Sequence, residues 1–336
     1  MKDNKRKNRN ASVRRLTAEG ILLLALLCAA VLLTAAAVWC VHRANRYRAS
    51  AEAAARQTEV PAVETASPSP EASPTPEPTP SPSPTPKPSS PSRVETLEYT
   101  AHDYVRDPGE EKTKRLVVYV PKDYDPSEEY DVVFLMHVLG QNETFWTEQL
   151  GFASVLDELI ESGACRPVVA VFPDGYYHED LRGVTGRSEY YEQFAQEFRK
   201  DILPFVRSQY SISSAPERTG FIGASFGAYM TVNSILRENA DLVGNYGYIG
   251  GGDIDPSLIS SRWSANGFTS PRISMFYIGE GDRDDLGTVQ SSYQKLLAYG
   301  GSFDESNLVF SVLSGYAHEP AEWILGAKEA LALFYP

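Results

Sequence analysis

Residues 220–230 read Gly-Phe-Ile-Gly-Ala-Ser-Phe-Gly-Ala-Tyr-Met. The segment Arg218–Gly223 reads as an apolar strand, and Phe226–Glu238 has the spacing of a helix. Between them lies Gly223-Ala224-Ser225-Phe226-Gly227. A serine on so sharp a strand-to-helix turn is exposed at the end of the strand, and glycines two residues either side let the backbones pass closely. The N-terminus of the following helix lends partial positive charge to an oxyanion formed there. The context therefore makes Ser225 a candidate nucleophile.

Strands and helices alternate on both sides of this turn. Lys114–Val120, Tyr130–His137 and Pro167–Phe172 precede it as strands, and Tyr246–Ile249, Ile273–Ile278 and Leu308–Val312 follow it. The nearly continuous apolar character of Tyr130–His137 suits a strand buried on both faces. Helical spacing runs over Phe152–Ile160, Tyr190–Tyr210, Thr288–Tyr299 and Pro320–Phe334. Alternation of this kind predicts an α/β fold, a mostly parallel central sheet with helices on both faces.

The partners a nucleophilic serine needs follow it in chain order. After the strand Ile273–Ile278 come Gly279-Glu280-Gly281-Asp282-Arg283-Asp284-Asp285. An acid at the carboxyl end of a parallel strand is placed to reach an imidazole. Asp282, nearest the strand, is the expected acid, with Asp284 or Asp285 as its replacement. Of five histidines, only His318 follows the acid, in Ser314-Gly315-Tyr316-Ala317-His318 after the last strand. The expected triad is Ser225, His318 and Asp282.

Five segments together resemble the putative-esterase family of α/β-hydrolases, which includes feruloyl and acetylxylan esterases, S-formylglutathione hydrolases and mycolyltransferases. They are Tyr119-Val-Pro-Lys-Asp-Tyr-Asp-Pro, FLMHVLGQNETFW at 134–146, GFIGASFGAYM at 220–230, the Gly-Glu-Gly-Asp loop at 279–282, and Gly315–Trp323. The resemblance covers about residues 95–336 and implies the α/β-hydrolase fold. It implies the same triad, and an oxyanion hole formed by the backbone N–H groups of Phe226 and Leu139. It implies neither metal nor cofactor. One position departs from the family pattern: where His-Gly is usual, this chain has His137-Val138. If that glycine takes a positive φ, valine displaces the oxyanion loop, and Val138→Gly is expected to raise kcat.

Composition divides the 336 residues. Twelve of 23 prolines fall between Pro61 and Pro91, and residues 21–41 carry no charged side chain. Seven basic side chains lie within residues 1–15. The organisation expected is a basic cytoplasmic tail (1–19), a transmembrane signal anchor (20–42), a disordered extracellular Pro/Ser/Thr-rich linker (43–92) and the esterase domain (93–336). A 21-residue apolar run spans about 31 Å as a helix, the thickness of a hydrocarbon core. The denser basic flank on its N-terminal side puts the domain outside the cell membrane. The rival is secretion after signal cleavage, with Ala35-Ala36-Ala37 as an A-x-A site.

The basic head carries a net charge of +5 and residues 93–336 carry −18. So acidic a domain repels nucleic acid, which is excluded as a partner. Cys165 is alone in the domain, which rules out a disulfide framework and a cysteine-based zinc site. The expected function is a cell-surface serine esterase acting on acetyl or feruloyl-like esters, on an acylated carbohydrate or a small ester. The alternatives are a non-catalytic binding module on the same fold, and acyl transfer to a sugar. Trp146, Tyr176, Tyr177, Tyr190, Tyr191 and Trp263 are candidates to stack on sugar or aryl groups.

Overall fold

The computed structural model describes residues 89–269 and 271–336. The expected tail, anchor and nearly all of the linker lie outside them. Among the described residues no helix is long and apolar enough to cross a membrane.

Eight strands form one sheet: β1 (Arg93–His102), β2 (Glu111–Val120), β3 (Asp131–Met136), β4 (Val168–Pro173), β5 (Thr219–Ala224), β6 (Asn245–Ile249), β7 (Met275–Gly281) and β8 (Leu308–Leu313). Their spatial order is β1-β2-β4-β3-β5-β6-β7-β8. The first two pairings, β1 with β2 and β2 with β4, are antiparallel, and the others are parallel. The serine strand β5 thus lies near the middle of the sheet, the least exposed place for a strand.

Helices cover both faces, because the parallel strands must return by crossovers. They are α1 (Phe152–Glu161), α2 (Glu189–Glu197), α3 (Leu203–Gln209), α4 (Phe226–Met230), α5 (Pro256–Ala265), α6 (Val289–Tyr299) and α7 (Pro320–Phe334). A wider turn at Phe198–Ile202 joins α2 to α3, so the segment expected as one long helix is continuous but not regular. The side-chain alternation of β3 shows how the layers are divided. Val132, Phe134 and Met136 join Phe194, Phe198 and Ile202 on one face. Val133 and Leu135 join Phe152 and Leu156 of α1 and Leu331 of α7 on the other.

Two elements had no counterpart in the expected string. In β1, Leu97, Tyr99 and Ala101 point inward between Glu98 and Thr100, a period-two pattern that is short and diluted by charge. In α5, Pro256, Ile259 and Trp263 are the buried stripe in an otherwise serine-rich segment, and Asp255 caps the helix by accepting from the Ser257 N–H.

Candidate active site

Ser225 sits where β5 ends and α4 begins, with φ 54° and ψ −118°. A left-handed backbone at a residue with a Cβ costs about 1–3 kcal/mol and persists only where its surroundings impose it. The glycines do so here. A Cβ on Gly223 would lie 1.9 Å from the Gly227 carbonyl oxygen, and one on Gly227 would lie 2.6 Å from that of Met136. Both glycines are therefore required by backbone contact, as the motif predicts. The Ser225 N–H donates to the Ile249 carbonyl, which fixes the turn against β6.

The serine hydroxyl meets the expected histidine. Ser225 Oγ is 2.9 Å from His318 Nε2. His318 Nδ1 is 2.9 Å from Asp284 Oδ2. With Nε2 accepting from the hydroxyl, the ring proton sits on Nδ1 and is donated to Asp284.

The acid is a correction. Asp282 does not reach the imidazole. Strand β7 runs on to Gly281, three residues beyond its expected end, so Asp282 is the first residue past the sheet and is exposed. Its carboxylate accepts from the Gly315 N–H at 2.7 Å, tying down the loop that leads to His318. The chain then turns, the Asp284 N–H donating to the Gly281 carbonyl, and this brings Asp284 back under the histidine. The Asp284 side chain is fully buried and also accepts from the Leu286 N–H at 2.9 Å. Asp285 is exposed.

The two expected oxyanion donors lie in segments that touch. Phe226 is the first residue of α4, so its N–H has no acceptor within the helix. Leu139 follows β3, and Gly227 of α4 packs directly on the carbonyls of Met136 and His137. The loop between is held from several sides. His137 is buried and stacks on Tyr176 and Phe226. Its Nε2 lies 2.9 Å from the Gly175 nitrogen and 3.2 Å from Asp174 Oδ1, and its Nδ1–H donates to the Val138 carbonyl at 2.8 Å. Val138 is not left-handed: among the described residues only Asp123 and Ser225 have positive φ without being glycine. Its side chain packs with Phe145 and Trp146 on one face of the sheet, while Leu139 packs toward the other. Val138 therefore carries no positive-φ strain of its own.

Most of the aromatic candidates for stacking on a ligand are packing residues. Trp146, Tyr176, Tyr177, Tyr190 and Trp263 are buried, with the indole N–H groups donating to the carbonyls of Met136 and Leu236. Tyr191 alone is half-buried, over the Phe226 ring. Cys165, the other conceivable nucleophile, is buried, and burial pushes its thiol up to about 12.

Sequence reading passed over Glu322 of α7, a fully buried carboxyl beside the histidine. Donor atoms of Asp284, His318 and Glu322 all lie within 4.8 Å of one another. The bond between Nδ1 and Asp284 already uses the atoms a cation would need. His318 precedes the N-cap Glu319 of α7, so no helical spacing in the sequence pairs it with Glu322.

Comparison with known proteins agrees with this architecture. Residues 111–266 match the family model described as "Putative esterase". The curated "Endo-1,4-beta-xylanase Y" of Acetivibrio thermocellus is 27% identical over 228 residues, which is 61% of this chain and 20% of the relative. This chain thus spans about a fifth of that relative's length. Among solved structures, the S954A mutant of the feruloyl esterase module from Clostridium thermocellum, complexed with sinapinate, superposes with TM-score 0.59 at 22% identity. The match covers 72% of this chain and 88% of that one. A fluorophosphonate-binding serine hydrolase of Staphylococcus aureus superposes with TM-score 0.54 at 15% identity, covering 73% of this chain and 99% of that one. At such identities the structural likeness establishes the fold, that of the α/β-hydrolases. The match over residues 111–266 and the feruloyl esterases among the similar proteins mark a likeness to the putative-esterase family.

Proposed function

We propose that the domain is a cell-surface serine esterase that hydrolyses acetyl or feruloyl-like esters on carbohydrate, with Ser225 as nucleophile, His318 as base and Asp284 as orienting acid. The observation that carries the proposal is the unbroken chain of hydrogen bonds, 2.9 Å from Ser225 Oγ to His318 and 2.9 Å from His318 to Asp284. Ser225 Oγ attacks the ester carbonyl carbon as its proton passes to His318 Nε2. The N–H groups of Phe226 and Leu139 receive the oxyanion. The tetrahedral intermediate collapses, the carbon–oxygen bond to the alcohol breaks, and the alcohol leaves with the proton from Nε2. Water then attacks the acyl-enzyme, losing a proton to His318, and the acid departs as the proton returns to Ser225. Asp284 holds Nδ1–H so that Nε2 faces the serine, and its charge stabilises the imidazolium formed in each half-reaction.

An aryl acyl group is supported by the similar feruloyl esterase module complexed with sinapinate, and a carbohydrate alcohol by the xylanase relative. The cell-surface location rests on the basic head and apolar run of residues 1–41. The test uses the full chain in membranes, a fluorophosphonate probe, and a panel of acetyl and feruloyl esters. Labelling and turnover are expected, and Ser225→Ala should abolish the first and reduce the second by about 10³ or more, because the triad acts as a unit. Turnover by Ser225→Ala above about a tenth of wild type would refute the mechanism. Protease added to intact cells should release the activity; retention of all of it inside would refute the location.

A further inference from the structure

Two carboxyl groups, those of Asp284 and Glu322, lie beside one imidazole, and the charge of a third, Glu280, acts on both. Asp284 comes from the loop after β7, Glu280 from β7 itself and Glu322 from α7, and all three residues are buried. Their hydrogen-bond donors are unequally shared. Asp284 receives two, the Nδ1–H of His318 on one oxygen and the Leu286 N–H on the other. Glu280 receives the Val289 N–H. Glu322 receives one, the Gly281 N–H on Oε1 at 2.7 Å. Its second oxygen, Oε2, is buried, 3.9 Å from His318 Nδ1, and no group donates to it.

Water is kept from this oxygen by the backbone. Gly250, with φ 53°, closes over the group so tightly that a Cβ there would lie 3.1 Å from Glu322 Oε2 and from His318 Nδ1, and 3.2 Å from Asp284 Oδ2. Two buried carboxylates this close cannot both stay ionised. The one with more donors keeps the charge, which is Asp284, and the other keeps a proton.

We propose that Glu322 is a neutral carboxylic acid that donates its proton in a hydrogen bond to Asp284 and so positions the Asp284 carboxylate against His318. Glu322 is a positioning residue, since it acts through Asp284. This assignment rests on the reading of Ser225, His318 and Asp284 given above. Burial, then the charge of Asp284, push the Glu322 carboxyl up to about 7, with Glu280 adding to the shift. The titratable groups facing it are Glu280 and Tyr277 from β7, Asp284 from the following loop and His318 ahead of α7, while the segment after β6 contributes only the backbone of Gly250. None but His318 can carry a positive charge, and the Gly281 N–H is the one backbone donor that favours ionisation of Glu322.

The consequence is a loss of the positioning bond at alkaline pH. As Glu322 gives up its proton, Oε2 becomes a second anion beside Asp284 and repels it. Glutamine keeps a donor at this place and cannot ionise; methionine keeps the length and has no donor.

The experiment compares the full-length wild type with Glu322→Gln and Glu322→Met. Wild-type kcat/KM on an aryl ester should fall at least about threefold between pH 7 and pH 8.5, and Glu322→Gln should hold its plateau within about 1.5-fold. Glu322→Met should lose at least about tenfold in kcat with KM changed less than about twofold. The wild-type infrared spectrum should carry the carbonyl stretch of a protonated carboxylic acid that is missing from Glu322→Gln. A Glu322→Gln profile that coincides with wild type, or a difference spectrum without that band, overturns the proposal. If Glu322→Met does not fold, these two measurements decide it. The infrared band needs no turnover. A wild type that hydrolyses no ester would therefore fail the reading of the site while leaving the band to decide whether Glu322 holds its proton.

Discussion

Exchanging Asp284 for asparagine separates the two acids that follow β7. The Asp284 side chain has no exposure and lies 2.9 Å from the imidazole. When His318 takes the serine proton, its positive charge forms about 4 Å from the centre of the carboxylate. At an effective dielectric of about 20, charges at that separation attract by about 4 kcal/mol. Removing the attraction slows the reaction by about 10³. The amide adds a second fault, because it can donate to Nδ1 and stabilise the tautomer with Nε2 protonated, which cannot accept from Ser225. In a Ser-His-Asp triad the same exchange costs about 10⁴ in kcat. Asp282 is the matched control. Its carboxylate accepts one N–H from Gly315 at an exposed site, and asparagine still accepts there, so Asp282→Asn should change kcat by less than about twofold. Steady-state kinetics on an aryl ester, with a thermal melt to confirm folding, measure both. An Asp282→Asn variant slower than Asp284→Asn would refute the assignment, as would an Asp284→Asn variant retaining more than about a tenth of wild-type kcat.

Val138→Gly should destabilise the domain by about 3 kcal/mol, combining about 0.8 kcal/mol for each of three buried carbons with the entropy of glycine, and it should not raise kcat. Denaturant titration and kinetics measure the pair; faster turnover at unchanged stability would show that valine strains the loop after all. Stability should also depend on pH through Glu322. Its carboxyl is raised from an ordinary 4.5 to about 7 in the folded chain. The folded state therefore binds more protons than the unfolded one across that window, and stability falls as pH rises through it, by an amount of order 3 kcal/mol for the whole shift. Unfolding free energies at pH 5 and pH 8 should differ more in wild type than in Glu322→Gln; equal differences would sink the claim.

The parts of the site that were legible in the sequence are those set by neighbours in the chain. Gly223 and Gly227 flank Ser225 within one turn, and their roles follow from backbone contact that any reader of the motif can anticipate. His318 was reachable by order alone, since it follows every candidate acid. The choice between Asp282 and Asp284 was not local. It depended on whether β7 stops at Ile278 or continues to Gly281, and Gly279-Glu280-Gly281 has the composition of a loop. What carries it into the sheet is pairing with β8, where Gly279, Glu280 and Gly281 oppose Ser311, Val312 and Leu313. Strand ends of this kind are decided by the partner strand, and propensity is a poor guide to them. The conformation of Val138 was hidden for a related reason: the packing of its side chain with Phe145 and Trp146 depends on how the chain folds back after β3.

The buried polar groups give the two halves of the site different kinds of rigidity. On the oxyanion side the fixing contacts are backbone hydrogen bonds and ring stacking, with one carboxylate, that of Asp174, 3.2 Å from His137 Nε2. His137 is held between the Gly175 N–H and the Val138 carbonyl and stacked between rings, and the turn at Ser225 is clamped by glycine–backbone contact. On the acid side the fixing contacts are ionisable, with Asp284 and Glu322 beside a single imidazole and Glu280 acting on both. Protonation of Glu322 relieves their repulsion, so pH acts on the orienting acid. A change in pH should therefore move kcat through His318 and Asp284, and a change in loop packing should move it through Leu139 and Phe226.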